Sequence, residues 1–295
     1  MTGYLKNLLS AFKTAFKAWL SKDPFHESAV IAYYSIFSLP GLLVVVVTFA
    51  GYFFGHEAVN GQLSTQINST MGAQTADQMH TIITMASKAK NSLWAAIIGG
   101  ITILVGATGV FAEFQKALNT IWEVKTDKSK SGLWQVLRVR LFSFGLIISI
   151  AFILIVSLVV STTLSAMGDW LSGRFSDSFS LTLQIVNFGA SIIILAGLFA
   201  LMFKFFPDAK VKWRHVWVGS LVTAFLFTIG KFALGLYFAK ANPGTGYGAA
   251  GSVILIMLWV SYSSMIVFYG AEFTHAYAGI ISPKTPPSEI GTDAS

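Results

Sequence analysis

Six apolar runs punctuate the chain, each long enough to cross a bilayer as a helix. They cover about Ala29–Phe54, Leu93–Phe111, Leu141–Leu164, Leu181–Phe206, Val216–Phe238 and Ala249–Glu272. A span of ~30 Å of hydrocarbon needs ~20 residues at ~1.5 Å of rise each. None of the six carries a polar stripe wide enough to face water. The pattern predicts an all-α membrane protein with six transmembrane helices over residues 26–281. Pro40 interrupts the first run, so the freed carbonyl there needs protein or water beside it.

Ahead of these runs, residues 1–25 follow a different period. Leu5, Leu8, Leu9, Phe12, Phe16, Trp19 and Leu20 recur at helical spacing, with Lys6, Lys13 and Lys17 off that face. This predicts an amphipathic helix suited to the inner leaflet, or one that packs on the ends of the bundle; both fit. The segment lacks the continuous apolar core and small-residue cleavage site of a signal peptide. Between the first two runs, "TADQMHTIITMASKA" repeats Met79, Ile82, Ile83 and Met85 helically, and one or two short helices are expected there. The Pro-rich polar tail, 282–295, is expected to be disordered.

Composition agrees with lipid as solvent. The chain is 54% hydrophobic and 11% charged, against about 25% charged in a soluble domain. Cysteine is absent, which excludes disulfides and thiolate metal sites. The net charge of +7 would suit nucleic acid, but its placement reads as topology. With the N-terminus inside, the inside segments hold Lys6, Lys13, Lys17, Lys22, Lys116, Lys125, Lys128, Lys130, Arg138, Arg140, Lys204, Lys210, Lys212, Arg214 and Lys284. The outside segments hold Lys88, Lys90, Arg174 and Lys240. That asymmetry predicts an N-in/C-in, multi-pass protein of the bacterial inner membrane and leaves little for a nucleic-acid partner.

Catalysis finds no motif. His26, His56, His80, His215 and His275 stand apart, and no carboxylate cluster, P-loop or nucleophile elbow occurs. No enzyme activity, metal or cofactor is expected. Polar groups inside apolar runs are the functional candidates instead. Lys231, in "FTIGKFALGLY", either faces a cavity and meets an anionic group or snorkels towards Lys240. Tyr33, Tyr34, Ser38, Asn187 and Tyr262 would add polar lining to a substrate route. Tyr247 lies in the Gly-rich link "NPGTGYGAAGS", which is either a tight turn or an anion-binding nest. Glu272, at the inner end of the last run, shares its level with Glu113, Asn119, Lys116, Arg138 and Arg140. Those groups would form an inner gate or an ion network that ties helix ends together, and a coupling carboxylate is the alternative for Glu272. Lys231 and Glu272 sit at different depths, so a direct pair between them is not expected.

The strings "AVIAYYSIFSLPGLL", "FQKALNTIW", "FPDAKVKW" and "YGAAGSVILIMLWVSYSSMIVFYGAEFTHAY" resemble the YihY/BrkB family of bacterial inner-membrane proteins. The resemblance covers about Ala29 to Tyr277, and Asn119, Trp122, Pro207, Asp208 and Glu272 fall where that family's pattern has them. It implies a six-helix inner-membrane protein. Members once carried the label ribonuclease BN, regarded as misapplied, and one branch is called a virulence or serum-resistance factor. Transport or flipping of lipids or envelope anions has been proposed for relatives. Taken together, the expectation is a translocator of an anionic lipid or envelope solute, with membrane lipids as partners and room for a homo-oligomer or an envelope-assembly partner. A non-transporting scaffold for envelope assembly is the alternative, and a ribonuclease the remote one.

Overall fold

The structure, a computed structural model, describes residues 2–38, 109–124, 177–209, 211–241 and 243–281, with single positions between 55 and 81. These residues form α1 (Thr2–Ser21), α2 (24–38), α3 (109–121), α4 (Asp177–Phe205), α5 (Trp213–Ala241) and α6 (Gly251–Ile281). A short 3-10 segment, Thr245–Ala250, leads into α6. Among the described residues there is no strand. Positions 57, 60, 61, 64, 65, 68, 77, 80 and 81 are helical, in the loop where short helices were expected. The third apolar run, Pro40, most of the second run and the tail from 282 lie outside the described residues.

Among the described residues, three helices are long and apolar enough to cross a membrane: Phe188–Phe205 within α4, and the whole of α5 and of α6. Their outward residues suit lipid. Along α5, Leu221, Phe225, Ile229, Phe232 and Leu236 are all exposed and recur at helical spacing. The last helix runs nine residues beyond Glu272, where the apolar run was expected to stop. It continues because Phe273 and Tyr277 are buried against Ala11 and Ala15 of α1.

Local chemistry sets the chain reversals. Asp23 takes a left-handed conformation (φ 47°) between α1 and α2. Its carbonyl accepts from the Glu27 N–H at 3.2 Å, and Pro24 opens α2 where a missing N–H costs nothing. At the end of α3, Val124 N–H reaches Asn119 O at 2.9 Å and Glu123 N–H reaches Thr120 O at 3.3 Å. That is a Schellman ending, with Glu123 (φ 53°) in the position glycine usually holds.

Aromatic packing joins α3, α4 and α6. Phe111 and Phe114 meet Phe206 at ring separations of 4.7 and 5.5 Å, and Phe114 meets Phe268 at 5.2 Å. The closest seam lies between α5 and α6, which run antiparallel. Gly219 faces the Thr274 side chain, and Gly270 faces the Thr223 side chain; a Cβ at either glycine would overlap the threonine hydroxyl. Each hydroxyl is satisfied within its own helix, Thr223 donating to Gly219 O and Thr274 to Gly270 O, both at 2.7 Å. The two Gly-x-x-x-Thr stretches therefore clasp reciprocally, without a polar atom left over.

Adding a methyl at this seam tests it. Gly270→Ala is expected to cost about 1–3 kcal/mol by overpacking, seen as a lower melting temperature in detergent. Thr223→Ala in the same chain should recover part of that loss, because it removes the hydroxyl and methyl that the new group strikes and leaves only the Cβ in its way.

Candidate functional site

The end of the bundle where α1, α2, α3 and α6 meet holds the charged residue most deeply buried among those described. Glu272 is only 2% exposed, and its Oε1 lies 2.8 Å from Lys22 Nζ. Lys22 sits in the turn after α1 and also donates to Ile121 O, at the end of α3, at 3.4 Å. The ammonium thus bridges a carboxylate of α6 and the negative end of the α3 dipole. Glu272 Oε1 has no donor aligned well enough for a hydrogen bond among the described residues, so the ion pair alone compensates it.

Several contacts hold α1 in register for this pair. Trp19 Nε1 donates to Met265 O at 3.1 Å, and the Tyr269 hydroxyl donates to Phe12 O at 3.4 Å. Ala11 and Ala15 are fully buried, so small side chains let the two helices approach. Meanwhile Leu9, Phe16 and Leu20, from the face predicted to be apolar, remain more than half exposed. On α2, Ser28 and Ser261 share a hydrogen bond of 3.1 Å. Beside these contacts lies a cavity of about 30 Å³, partly open to solvent, lined by Trp19, Lys22, Glu27, Thr120, Phe268 and Glu272, among others. That is room for about one water molecule. One turn on from Glu272, the His275 ring lies 5.0 Å from that of buried Trp122.

A second polar contact ties α3 to the link between α4 and α5. Asn119 Nδ2 donates to Asp208 Oδ2 at 2.9 Å, and Asp208 N–H donates back to Asn119 Oδ1 at 2.8 Å. Gln115 adds contacts to the same carboxylate at 3.3 and 3.4 Å. This reciprocal clasp accounts for asparagine and aspartate in the "FQKALNTIW" and "FPDAKVKW" strings.

The predicted inner network divides accordingly. Glu113 pairs with Lys116 at 3.1 Å, one turn along an exposed face of α3. That hydrogen bond, with the charge of Glu113, holds the Lys116 ammonium above the ordinary lysine range. So exposed a pair contributes little to stability. Asn119 goes to Asp208, and Glu272 to Lys22. Arg138 and Arg140 lie outside the described residues. Of the predicted substrate route, Lys231 is half-buried on α5 and makes no ion pair with a described residue. Its neighbour Gly230 packs under the Tyr262 ring and hydroxyl. Tyr34 packs on Gly109, and Tyr33 is exposed with its ring 5.2 Å from that of Phe37. The Ser38 hydroxyl donates to Ser35 O at 3.2 Å. Tyr247 is exposed in the 3-10 segment. Asn187 lies in α4, its side chain outside those described. From the seam register, Lys231 and Glu272 lie about 15 Å apart along the bundle at ~1.5 Å per residue, in keeping with their expected difference in depth. Reasoning from the sequence missed Lys22 as the partner of Glu272; its one signal was a basic residue between an amphipathic helix and an Asp-Pro turn.

Replacing Lys22 by methionine leaves Glu272 buried without its counter-charge. The expected loss is up to about 3 kcal/mol, at the low end for buried pairs because Lys22 remains 26% exposed. Melting of Lys22→Met and of Lys22→Met/Glu272→Gln checks it, with the double variant regaining stability.

A family model described as Virulence factor BrkB matches residues 15–288, a stretch that takes in Lys22, Asn119, Asp208 and Glu272. The chain is 28% identical over 284 residues to a UPF0761 membrane protein of Vibrio parahaemolyticus, covering 92% of this chain and 84% of that one. It is 27% identical to a UPF0761 membrane protein of Alteromonas mediterranea, over 83% of this chain and 79% of the relative. A third such protein, from Pseudoalteromonas atlantica, is 26% identical over 83% of this chain and 78% of its own. No solved structure matches. With that match spanning nearly its whole length, the chain belongs to the BrkB virulence-factor family of membrane proteins.

Proposed function

We propose that this protein translocates an anionic amphipathic molecule, a lipid or an envelope solute, across the bacterial inner membrane. The observation that carries the reading is the buried Lys22–Glu272 pair at the α1 end of the bundle. A protein selected only for stability does as well or better with apolar packing there, whereas a breakable pair suits an element with two arrangements. The lysine and arginine asymmetry of the loops supports an N-in/C-in orientation, which would make this end the cytoplasmic gate. Lys231, half-buried in the other half of the bundle and next in sequence to Gly230, which packs under Tyr262, is the group for an anionic head. The exposed Leu9, Phe16 and Leu20 of α1, with Lys13 and Lys17 exposed beside them, suit an anionic inner leaflet. No sequence motif supplies ATP binding, so uphill movement would draw on an ion gradient or a partner.

A scaffold reading rests on a different observation. The reciprocal Gly–Thr seam locks α5 to α6 along the half that carries Glu272, and a locked pair would suit a protein that only holds others in place. Purified protein in liposomes containing a fluorescent anionic phospholipid separates the two. The translocator reading expects lipid to cross between leaflets in the wild type, and Lys231→Ala, folded as judged by its melting curve, to lose at least about tenfold in rate, as for a lost ~1.4 kcal/mol contact. Wild-type protein that moves no anionic lipid or solute, even under an imposed proton gradient, would leave the scaffold.

A further inference from the structure

Two carboxylates and one ammonium line the cavity between α1, α2, α3 and α6. Lys22 pairs with Glu272; Glu27, half-buried on α2, makes no ion pair with a described residue. Among the described residues that line it, the cavity therefore carries one negative charge in excess, and the charge of Glu27 is felt by Lys116 nearby. Its other walls are largely apolar, with Trp19, Ala117 and Phe268 among them, and Thr120 adds a hydroxyl. A small pocket of net negative charge attracts a cation, and low polarity around it strengthens the attraction. With about 30 Å³ of space and one side open to solvent, the pocket admits water that can deliver a proton.

We propose that this pocket is a proton-binding site, in which Glu272 takes the proton and the released Lys22 ammonium moves to Glu27. The step balances simply. A hydronium ion gives its proton to Glu272 Oε1 and leaves water. The O–H bond formed there neutralises the carboxylate, Lys22 keeps all three protons, and the pocket goes from one negative charge to none. Burial assigns the roles: Glu272 is 2% exposed and depends on Lys22, while Glu27 keeps access to solvent.

Among the described residues, the charged and titratable groups facing the pair are few. Besides Lys22, Asp23 is exposed in the turn. From α2 comes Glu27. From α3 come Lys116, paired with Glu113 and also under the charge of Glu27, and the exposed Glu123 just past its end. On α6 itself His275 lies one turn away against Trp122. Within this set only Glu27 joins Lys22 and Glu272 in lining the cavity. Moving the ammonium off Glu272 also removes the ionic tie between α1 and α6 beside the Trp19–Met265 hydrogen bond, so Trp19 reports on the exchange. The use of this proton to drive transport rests on the translocator reading; its binding does not.

Full-length protein in nanodiscs is acidified from neutral pH and followed by infrared difference spectroscopy and tryptophan fluorescence. The fluorescence signal belonging to Trp19 is the part lost in Trp19→Phe. The wild type and Glu27→Gln should show the same new protonated-carboxyl band, and Glu272→Gln should lack it. The Trp19 change should appear in the wild type and disappear in both Glu27→Gln and Glu272→Gln. A band that survives Glu272→Gln, or one that vanishes in Glu27→Gln, overturns the assignment of the proton. A Trp19 change that survives Glu27→Gln overturns the ammonium exchange. If Glu272→Gln does not fold, Glu272→Asp serves: the band must move to the frequency of an aspartic acid, and an unmoved band refutes the site. These spectra need no transport, so a wild type that gives both signals yet moves no lipid keeps the proton site and loses the translocator.

Discussion

The close approach of α5 and α6 sets the geometry of everything around it. In lipid no hydrophobic force draws helices together, so shape and satisfied polar atoms must do so. Gly219 receives Thr274 and Gly270 receives Thr223, which fixes both the register and the rotation of α6. Rotation is the consequential part. A helix turns by about 100° per residue, so Glu272, two residues from both Gly270 and Thr274, faces nearly opposite to the seam. The same contacts that bring α6 against α5 therefore point its carboxylate at α1 and α3. Glu272 is buried because of where Gly270 and Thr274 are.

Burying that carboxylate is costly, and the surrounding structure shows how the cost is limited. Lys22 supplies the counter-charge at 2.8 Å and keeps a quarter of its side chain in solvent, which reduces its own desolvation. The turn at Asp23 and Pro24 ends α1 at the point where Lys22 can reach both Glu272 and Ile121 O. The aromatic contacts of Trp19, Phe12 and Tyr269 brace the helix on which that lysine depends, with the Phe12 ring 4.6 Å from Phe273. Besides the ion pair and these hydrogen bonds, Leu8, Phe12, Ala11 and Ala15 of α1 pack with Phe273 and Tyr277 of α6, so releasing the helix would uncover that apolar cluster.

Much of this was legible in the residues, and the omissions have physical reasons. Apolar runs announced α4, α5 and α6 because lipid demands length and hydropathy of any spanning helix. The extension of α6 to Ile281 was not legible, since Phe273 and Tyr277 become core only through Ala11 and Ala15 of a helix some 260 residues away. Of the apolar face expected on α1, Leu8, Phe12 and Trp19 pack on the bundle while Leu9, Phe16 and Leu20 stay exposed, and the closest contact falls on Ala11 and Ala15, which the pattern did not single out. Periodicity weighs hydrophobic bulk, but close helix packing selects for its absence. Glu272 stood out as a carboxylate ending an apolar run. Its partner did not, because charge counting treats Lys22 as one more basic residue on the inner side. Asn119 and Asp208 were visible only as members of recurring strings; their mutual hydrogen bonds are a tertiary fact.

The two lysines of interest divide the bundle into unlike halves. Lys22 is matched by a carboxylate and a helix end; Lys231 has no described acidic partner and sits on a helix with an apolar stripe exposed to lipid. A cation without a fixed partner is the group a passing anion can use, while one with a fixed partner is better suited to hold a gate closed. Their separation of about 15 Å is half of the ~30 Å hydrocarbon thickness, so on the translocator reading an anion resting at Lys231 would have crossed only part of the barrier. It still has to pass the level at which Lys22, Glu27 and Glu272 meet. Any route through the bundle would have to admit that anion past two carboxylates, and neutralising one of them lowers the barrier at that level. If the pocket binds a proton and the bundle passes an anion, as proposed, electrostatics would favour the two together, with no contact between the two sites required.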